Sequence, residues 1–176
     1  MRGIGDYDEA AGAGVNERLD LDIGLDSHFD GTSDDYYTPA FIFEALNVNF
    51  DIDVCAPPGG ISWIPATKSY SVIDDGLVQD WGGATVWMNP PYSDPKLWAE
   101  KFVLNANGIA LMPTSQGAWM LTLWQSDTHW LMMPPVKFVK SNGETSKAAL
   151  PNRCWLIGTG ADNVEAMRQS NLGFVR

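Results

Sequence analysis

The 176-residue sequence is poor in cysteine, in basic residues and in long apolar runs, and each shortage excludes a class of protein. Its two cysteines, Cys55 and Cys154, stand in apolar surroundings without metal-ligand spacing, so we expect small buried residues and neither a disulfide nor a metal site. No run of eighteen apolar residues occurs, and no apolar signal-peptide core follows Met1. We therefore expect a cytoplasmic protein with no membrane span.

Acidic residues outnumber basic residues by 22 to 11, which gives a net charge of -11. The excess is concentrated in residues 1–35, which carry ten acids and two bases, whereas residues 95–176 carry eight bases and five acids. Residues 1–35 are also rich in glycine and alanine, which favours a flexible acidic arm. We expect this arm to aid solubility, with competition for a nucleic-acid site as the alternative. Residues 36–176 are predicted to form a single domain.

The remainder of the chain alternates between predicted strands and predicted helices. The predicted strands are 50–56, 84–88, 108–112, 129–133, 136–139 and 153–157. The predicted helices are 39–46, 95–105, 118–125 and 163–169, the first with Thr38 as N-cap, Pro39 at its first position, and Phe41, Ile42, Ala45 and Leu46 on its apolar side. Residues 57–83 are predicted to be irregular. The alternation predicts an α/β domain with a largely parallel central sheet flanked by helices.

The sequence Asn89-Pro90-Pro91-Tyr92 follows a predicted buried strand and precedes a predicted helix. Ligands of parallel sheets bind beyond the carboxyl ends of the strands. There the side-chain oxygen of Asn89 and the backbone carbonyl of Pro90 offer two adjacent acceptors for the hydrogens of an exocyclic amine. The two prolines restrict the backbone, so the acceptors are held in place, and Tyr92 offers a flat face for a base. The turn is therefore a candidate catalytic site.

At this turn the chain resembles the phage DNA N-6-adenine-methyltransferase family, the small Dam-like enzymes of bacteriophages. The similarity runs from about Tyr36 to Ile157, and its elements are Tyr37-Thr38-Pro39, Asp53-Val54-Cys55-Ala56, Asp75-Gly76-Leu77, Trp81 and Trp87-Met88-Asn89-Pro90-Pro91-Tyr92. The resemblance implies a class I fold dependent on S-adenosylmethionine (SAM), with double-stranded DNA as substrate. It also implies in-line methyl transfer to a flipped adenine without a covalent enzyme intermediate. A phage-encoded enzyme would act in the host cytoplasm.

The resemblance also implies a set of cofactor-binding residues in two loops. One acid of the pair Asp74 and Asp75 would hydrogen bond to the ribose or adenine of SAM, and the sequence does not choose between them. The other implied residues are Tyr37, Thr38 and Pro39 on one side of the cofactor, and Asp53, Val54, Cys55 and Ala56 in place of a glycine-rich turn on the other.

Candidate DNA-binding residues lie in the second half of the chain, where it departs from the family. Thr114-Ser115-Gln116-Gly117 stands where the family carries charged residues, and Pro134-Pro135-Val136 stands where Gly-Arg is expected before Lys137-Phe138. The residues available for contacts with the flipped base or its neighbours are Ser115, Gln116 and Trp119. The residues available for contacts with the DNA backbone are Lys137, Lys140, Lys147 and Arg153.

Other functions fit some of these features. An Asn-Pro-Pro-Tyr turn also suits the amide of a protein glutamine or the amino group of guanine in RNA, and the acidic composition mildly favours a protein substrate. A binding protein that has lost turnover is a third possibility, which the intact catalytic turn disfavours. Life at high salt would explain the acidity alone.

Overall fold

The computed structural model of the chain describes residues 36–140, 142–146 and 153–176. The predicted acidic arm, residues 1–35, lies outside the described residues. The strands are β1 (Tyr36–Tyr37), β2 (Phe50–Asp53), β3 (Ala66–Ser69), β4 (Val86–Met88), β5 (Gly108–Pro113), β6 (His129–Met132), β7 (Val139–Lys140) and β8 (Cys154–Thr159). The helices are α1 (Ala40–Leu46), α2 (Lys96–Asn105), α3 (Trp119–Trp124) and α4 (Ala161–Gln169).

Six of the strands form one sheet in the order β3-β2-β4-β5-β8-β6. The neighbours β3, β2, β4 and β5 are all parallel, whereas β8 runs antiparallel between β5 and β6. The short strands β1 and β7 form a separate antiparallel ribbon. The predicted α/β architecture with a mostly parallel sheet is therefore confirmed, although one strand runs against the others.

Both faces of the sheet are covered, and each face forms a core of its own. A first core joins α1 and α4 to one face through residues such as Phe43, Trp87 and Met167. A second core joins α2 and α3 to the other face through residues such as Met88, Phe102 and Leu123. Strand β4 is buried along its whole length because its side chains alternate between these two cores. Its uninterrupted apolar sequence, Val86-Trp87-Met88, follows from that position.

Helix α1 differs in two respects from the sequence-based expectation. Its N-cap is Pro39, whose ψ of 150° is extended, and Thr38 is therefore outside the helix and makes no capping hydrogen bond. Its buried residues are Ile42, Phe43 and Leu46, whereas Phe41 is 46% exposed. Ile42 and Leu46 are therefore buried as predicted, whereas the prediction for Phe41 was wrong. The sheet lies against the side of the helix that carries Phe43.

Two strands were not predicted. Strand β1 has only two residues, and β3 lies within the stretch 57–83 that was predicted to be irregular. Strand β3 is the edge strand of the sheet, and Thr67, Lys68 and Ser69 are exposed. It consequently lacks the apolar pattern by which strands are recognised. The predicted strand 136–139 is also largely irregular, because β7 contains only Val139 and Lys140.

Both cysteines are free thiols, as expected from the sequence. Within the described residues, no helix is long and apolar enough to cross a membrane. The same part of the chain contains no group of three or more histidine, cysteine, aspartate or glutamate side chains that could hold a metal ion.

The assignment of the buried side of α1 can be tested by two matched substitutions. The ring of Phe43 lies 4.7 Å from that of Trp87 and 6.4 Å from that of Phe50, measured between centroids. Phe43→Ala is expected to lower the free energy of unfolding by about 3–5 kcal/mol, because it leaves a cavity beside these rings. Phe41→Ala should lower it by less than about 1 kcal/mol. Urea denaturation of both variants measures the difference, and equal losses would contradict the assignment.

Candidate active site

The candidate site lies at the carboxyl edge of the parallel strands. Strand β2 ends at Asp53 and β4 ends at Met88, directly before Asn89. The two strands are parallel neighbours, with Asp53 paired to Trp87, so the segments that follow them leave the sheet side by side. This is the position at which ligands bind to open α/β sheets.

A cavity of about 660 Å³ opens at this edge. Its volume falls within the range typical of sites for small molecules and cofactors. The lining consists of Tyr36, Tyr37, the segment 54–58 after β2, Tyr70 to Val72, Asp75 and Gly76 after β3, Asn89 and Pro91 after β4, and Trp98 of α2. The cavity therefore brings together residues from four of the segments that the sequence singled out: Tyr37, the stretch 54–56, the pair Asp75 and Gly76, and the pair Asn89 and Pro91.

Asn89 lies where the cavity meets the end of β4. Its side-chain amide nitrogen donates a long hydrogen bond, 3.4 Å, to the carbonyl oxygen of Tyr36. Its backbone N–H points to the thiol of Cys55, so the two loops are in contact. Pro90 is buried and Pro91 is half-buried on the cavity wall. The turn is thus held on both sides, which keeps its acceptors in a defined place.

Tyr92 points toward the first core and does not line the cavity. Its hydroxyl group lies 3.8 Å from Sγ of Cys154, and its ring packs against the core residues. Burial raises the pKa of Tyr92 well above its ordinary value, and the neighbouring Cys154 adds to the shift. The hydroxyl group therefore stays protonated at neutral pH. The predicted stacking of a base on Tyr92 stays a prediction.

Asp53 is a buried carboxyl group next to the cavity wall. It is 2% exposed, and burial raises its pKa from 3.8 to about 7, although the backbone N–H of Cys55 donates a hydrogen bond of 3.2 Å to its side chain. Val54, Cys55 and Ala56 continue from it along the wall. A positive charge in this region would stabilise the ionised form of Asp53.

Thr38 is also buried beside this site, between Tyr37 on the cavity wall and Pro39 at the start of α1. Its backbone carbonyl accepts a hydrogen bond of 2.9 Å from the indole nitrogen of Trp63. Its hydroxyl group is buried and has no hydrogen-bond partner among the described residues. Because an unpaired buried hydroxyl group is costly, Thr38 is a candidate for pairing with a bound ligand.

The two acids between which the sequence did not choose have different surroundings. The carboxylate of Asp74 accepts hydrogen bonds from the backbone N–H and the hydroxyl group of Ser71, at 2.8 and 2.9 Å, and these bonds lower its pKa. It therefore shapes its own turn. Asp75 lines the cavity and adopts a left-handed backbone conformation with φ of 53°. Of the two, only Asp75 lines the cavity.

Several cavity residues were missing from the sequence-based set. Tyr36, Tyr70 and Trp98 were not distinguished from core aromatics. Gly76 belongs to the Asp-Gly-Leu element, and the structure explains it: a Cβ atom at this position would lie 2.1 Å from the carbonyl oxygen of Val54. Only glycine allows this close approach of the two loops.

None of the candidate DNA-binding residues that the structure describes lines the cavity. Ser115 and Gln116 follow β5, the next parallel strand beyond β4, and the hydroxyl group of Ser115 accepts a hydrogen bond from the N–H of Gly117. Trp119 packs against the second core. Lys137 and Arg153 are exposed, Lys140 is half-buried, and Lys147 lies outside the described residues.

The burial of Asp53 predicts a measurable pH dependence. Because the folded protein holds the proton up to about pH 7 and the unfolded chain loses it near pH 4, the free energy of unfolding should fall as the pH rises between these values. Asp53→Asn removes this contribution. The free energy of unfolding of the variant minus that of the natural protein should therefore be larger at pH 8 than at pH 4, by an amount on the order of a few kcal/mol. Urea denaturation of both proteins at the two pH values measures this difference, and a difference that does not change with pH would refute the raised pKa of Asp53.

Comparisons with known proteins agree with this geometry. The DNA N-6-adenine-methyltransferase of Haemophilus phage HP1 (strain HP1c1) is 30% identical over 101 residues, which cover 54% of this chain. The chain spans about half of the length of that relative, 53%. No solved structure matches the chain. Residues 27–133 match the family described as DNA N-6-adenine-methyltransferase (Dam), and because this match covers more than half of the sequence, the chain belongs to that family.

Proposed function

We propose that the chain transfers a methyl group from SAM to the N6 amino group of an adenine in double-stranded DNA. The observation that carries the proposal is the position of Asn89. It directly follows the buried strand β4 and lines a cavity of about 660 Å³ beside the end of β2. Membership of the Dam family supports adenine in DNA as the acceptor, and the sheet with helices on both faces supports a class I methyltransferase fold.

The residues of the cavity fit SAM, which supplies an electrophilic methyl group on a positively charged sulfur when bound. The aromatic side chains of Tyr37, Tyr70 and Trp98 provide flat surfaces for the adenine of the cofactor. The unpaired hydroxyl group of Thr38 is available for a hydrogen bond. Asp53, whose pKa is about 7, would be ionised by a nearby positive charge and would stabilise that charge in turn.

Asp75 is the acid that we propose for the ribose hydroxyl groups, because it lines the cavity while Asp74 is occupied by Ser71. A carboxylate accepts hydrogen bonds from two neighbouring hydroxyl groups, and such charge-assisted bonds are about twice as strong as neutral ones. Cys55 and Ala56 would contribute a close, mostly apolar wall.

The acceptor amine would be held by the side-chain oxygen of Asn89 and the backbone carbonyl of Pro90. These two acceptors take both amine hydrogens and leave the nitrogen lone pair directed at the methyl group. Because the turn is fixed by two prolines and by contacts of Asn89 with Tyr36 and Cys55, the acceptors need no rearrangement. As the nitrogen–carbon bond forms, the carbon–sulfur bond of SAM would break and leave its electron pair on sulfur, which gives a neutral thioether. The methylated amine would then release its extra proton to solvent.

The adenine would leave the duplex to reach this turn, which costs a few kcal/mol of stacking energy. In this arrangement Tyr92 would stack on the flipped base through a ring whose hydroxyl group is held near Cys154. Ser115, Gln116 and Trp119 would lie near the base, since β5 neighbours β4 in the sheet. Lys137 and Lys140 would contact the DNA backbone.

The first test concerns Asn89. Asn89→Ala is expected to lower the transfer of label from radiolabelled SAM to unmethylated plasmid DNA by at least about 100-fold, because one of the two amine acceptors is lost. SAM binding, measured by calorimetry, should change much less. Asn49→Ala is the matched control, since Asn49 is exposed and precedes β2 at the opposite edge of the sheet.

Three outcomes of this test are informative. Label in adenine that disappears in Asn89→Ala and persists in Asn49→Ala supports the proposal. Label that persists in Asn89→Ala contradicts the role of the turn. SAM binding without labelled DNA would contradict adenine as the acceptor and favour a protein glutamine or an RNA guanine, which the same assay detects with those substrates.

The second test separates Asp75 from Asp74. Asp75→Asn is expected to weaken SAM binding by about 10-fold or more, through the loss of charge-assisted hydrogen bonds. Asparagine is chosen because it tolerates the left-handed backbone at this position. Asp74→Asn should leave the affinity within about 3-fold. Calorimetric titration measures the SAM affinity of both variants. A larger loss of affinity in Asp74→Asn would assign the contact with the ribose to Asp74 instead.

A further inference from the structure

Lys101 makes an unusual set of contacts for a lysine on a surface helix. It lies on α2, and its Nζ atom donates hydrogen bonds to the backbone carbonyls of Leu77, at 2.6 Å, and of Gln79. Both acceptors belong to the irregular segment that follows β3. Burial lowers the pKa of Lys101, and the negative charges of Asp80 and Asp75 oppose that shift. The ammonium group therefore joins the helix after the catalytic turn to the segment that carries Asp75.

Trp81 extends this connection toward the cavity. The Nζ atom of Lys101 lies over its ring, 4.8 Å from the centroid. Its indole nitrogen donates a buried hydrogen bond of 2.9 Å to the carbonyl oxygen of Gly76. The same ring stacks on Trp98 of α2, with centroids 6.5 Å apart and an angle of 25° between the planes. Lys101 and Trp81 together thus hold both ends of the short segment 76–79.

Gly76 connects segment 76–79 to the cavity wall. Its backbone packs directly on the carbonyl oxygen of Val54, and a Cβ atom would also lie 3.1 Å from the ring of Trp98. Gly76, Val54, Trp98 and the adjacent Asp75 all line the cavity. A shift of the segment away from α2 would therefore change the shape of the cavity and the position of the Asp75 carboxylate.

The segment has little else to hold it. The N–H groups of Val78 and Gln79 both bond to the carbonyl oxygen of Asp75, at 2.9 and 3.3 Å, and the N–H of Leu77 bonds to its carboxylate at 3.1 Å. These bonds connect the segment to Asp75, the residue directly before it, so they do not attach it to another element of the fold. Val78 is 73% exposed and adds little packing. Such segments open locally at low cost unless another element ties them down.

We propose that Lys101 is a positioning residue for the cofactor cavity: its ammonium group ties segment 76–79 to α2 and thereby holds Asp75 and Gly76 in the geometry that binds SAM. The proposal rests on the proposed function, because it takes the cavity to be the SAM site. Lys101 does not line that cavity and touches none of the reacting atoms. Its removal should affect cofactor affinity while leaving the catalytic turn intact.

The test compares three substitutions on α2. Lys101→Met keeps an unbranched side chain over Trp81 and removes the ammonium donors. Lys101→Arg restores donors and charge. Lys96→Met removes an exposed lysine from the first turn of the same helix and serves as the control. Thermal denaturation checks that each variant is folded, and Lys101→Gln replaces Lys101→Met if the latter does not fold.

Lys101→Met is expected to raise the dissociation constant of SAM by about 10-fold in calorimetry, because the binding-competent arrangement becomes less populated. At saturating SAM the turnover number should change by less than about 2-fold, since no contact made only in the transition state is lost. Amide hydrogen exchange in the protein without ligand should become faster at Val78 and Gln79. Lys101→Arg should recover most of the affinity, and Lys96→Met should behave like the natural protein.

Three results would overturn the proposal in different ways. If the natural protein binds SAM and Lys101→Met binds it equally well with unchanged amide exchange, the positioning role is wrong and the proposed function stands. If the natural protein binds no SAM, the proposed function itself fails and this proposal fails with it. A decrease of turnover number at saturating SAM, without a change in affinity, would also contradict a role in cofactor positioning.

Discussion

The parallel pairing of β2 with β4 is the constraint on which the rest of the site depends. It places Asp53 opposite Trp87, so the loop that follows Asp53 and the Asn-Pro-Pro-Tyr turn leave the sheet at the same edge. The pairing is stabilised by burial, because Val86, Trp87 and Met88 are fully enclosed between the helices on both faces. A sheet with helices on one face alone would leave half of β4 in water. The cavity thus depends on both cores, whose members Tyr36, Val54 and Tyr70 also line it.

The sequence predicted the parts of the structure that depend on local pattern. The buried strands β4 and β5 were predicted because each is a short, uninterrupted apolar run, and the helices after them because their apolar residues recur at helical spacing. Strand β3 was missed because its exposed position at the sheet edge removes that pattern. Phe41 was placed on the buried side of α1 instead of Phe43, because the two rings flank the buried Ile42 and the spacing alone does not choose between them. Periodicity shows that a residue is buried but not which core it enters.

In the candidate site, too, some residues were predicted from local sequence and others became recognisable only from the fold. Motif residues such as Asn89 and Asp75 were predicted, since their chemistry stands out in the sequence. Tyr36, Tyr70 and Trp98 were not, because an aromatic side chain on a cavity wall has the same sequence signature as one in a core. Only the fold brings β1, the end of β3 and α2 to one place. The proposed choice of Asp75 over Asp74 also required the structure, since it depends on which of the two residues lines the cavity.

The ribbon of β1 and β7 has a consequence for how two substrates would bind. Tyr36 and Tyr37 line the cavity, while their partners on the other strand, Lys140 and Val139, follow directly after Lys137. If SAM occupies the cavity and DNA occupies the surface that carries Lys137 and Lys140, a ligand that moved one strand of the ribbon would move the other. Binding of the two would then be linked energetically, and the linkage would be the same in both directions.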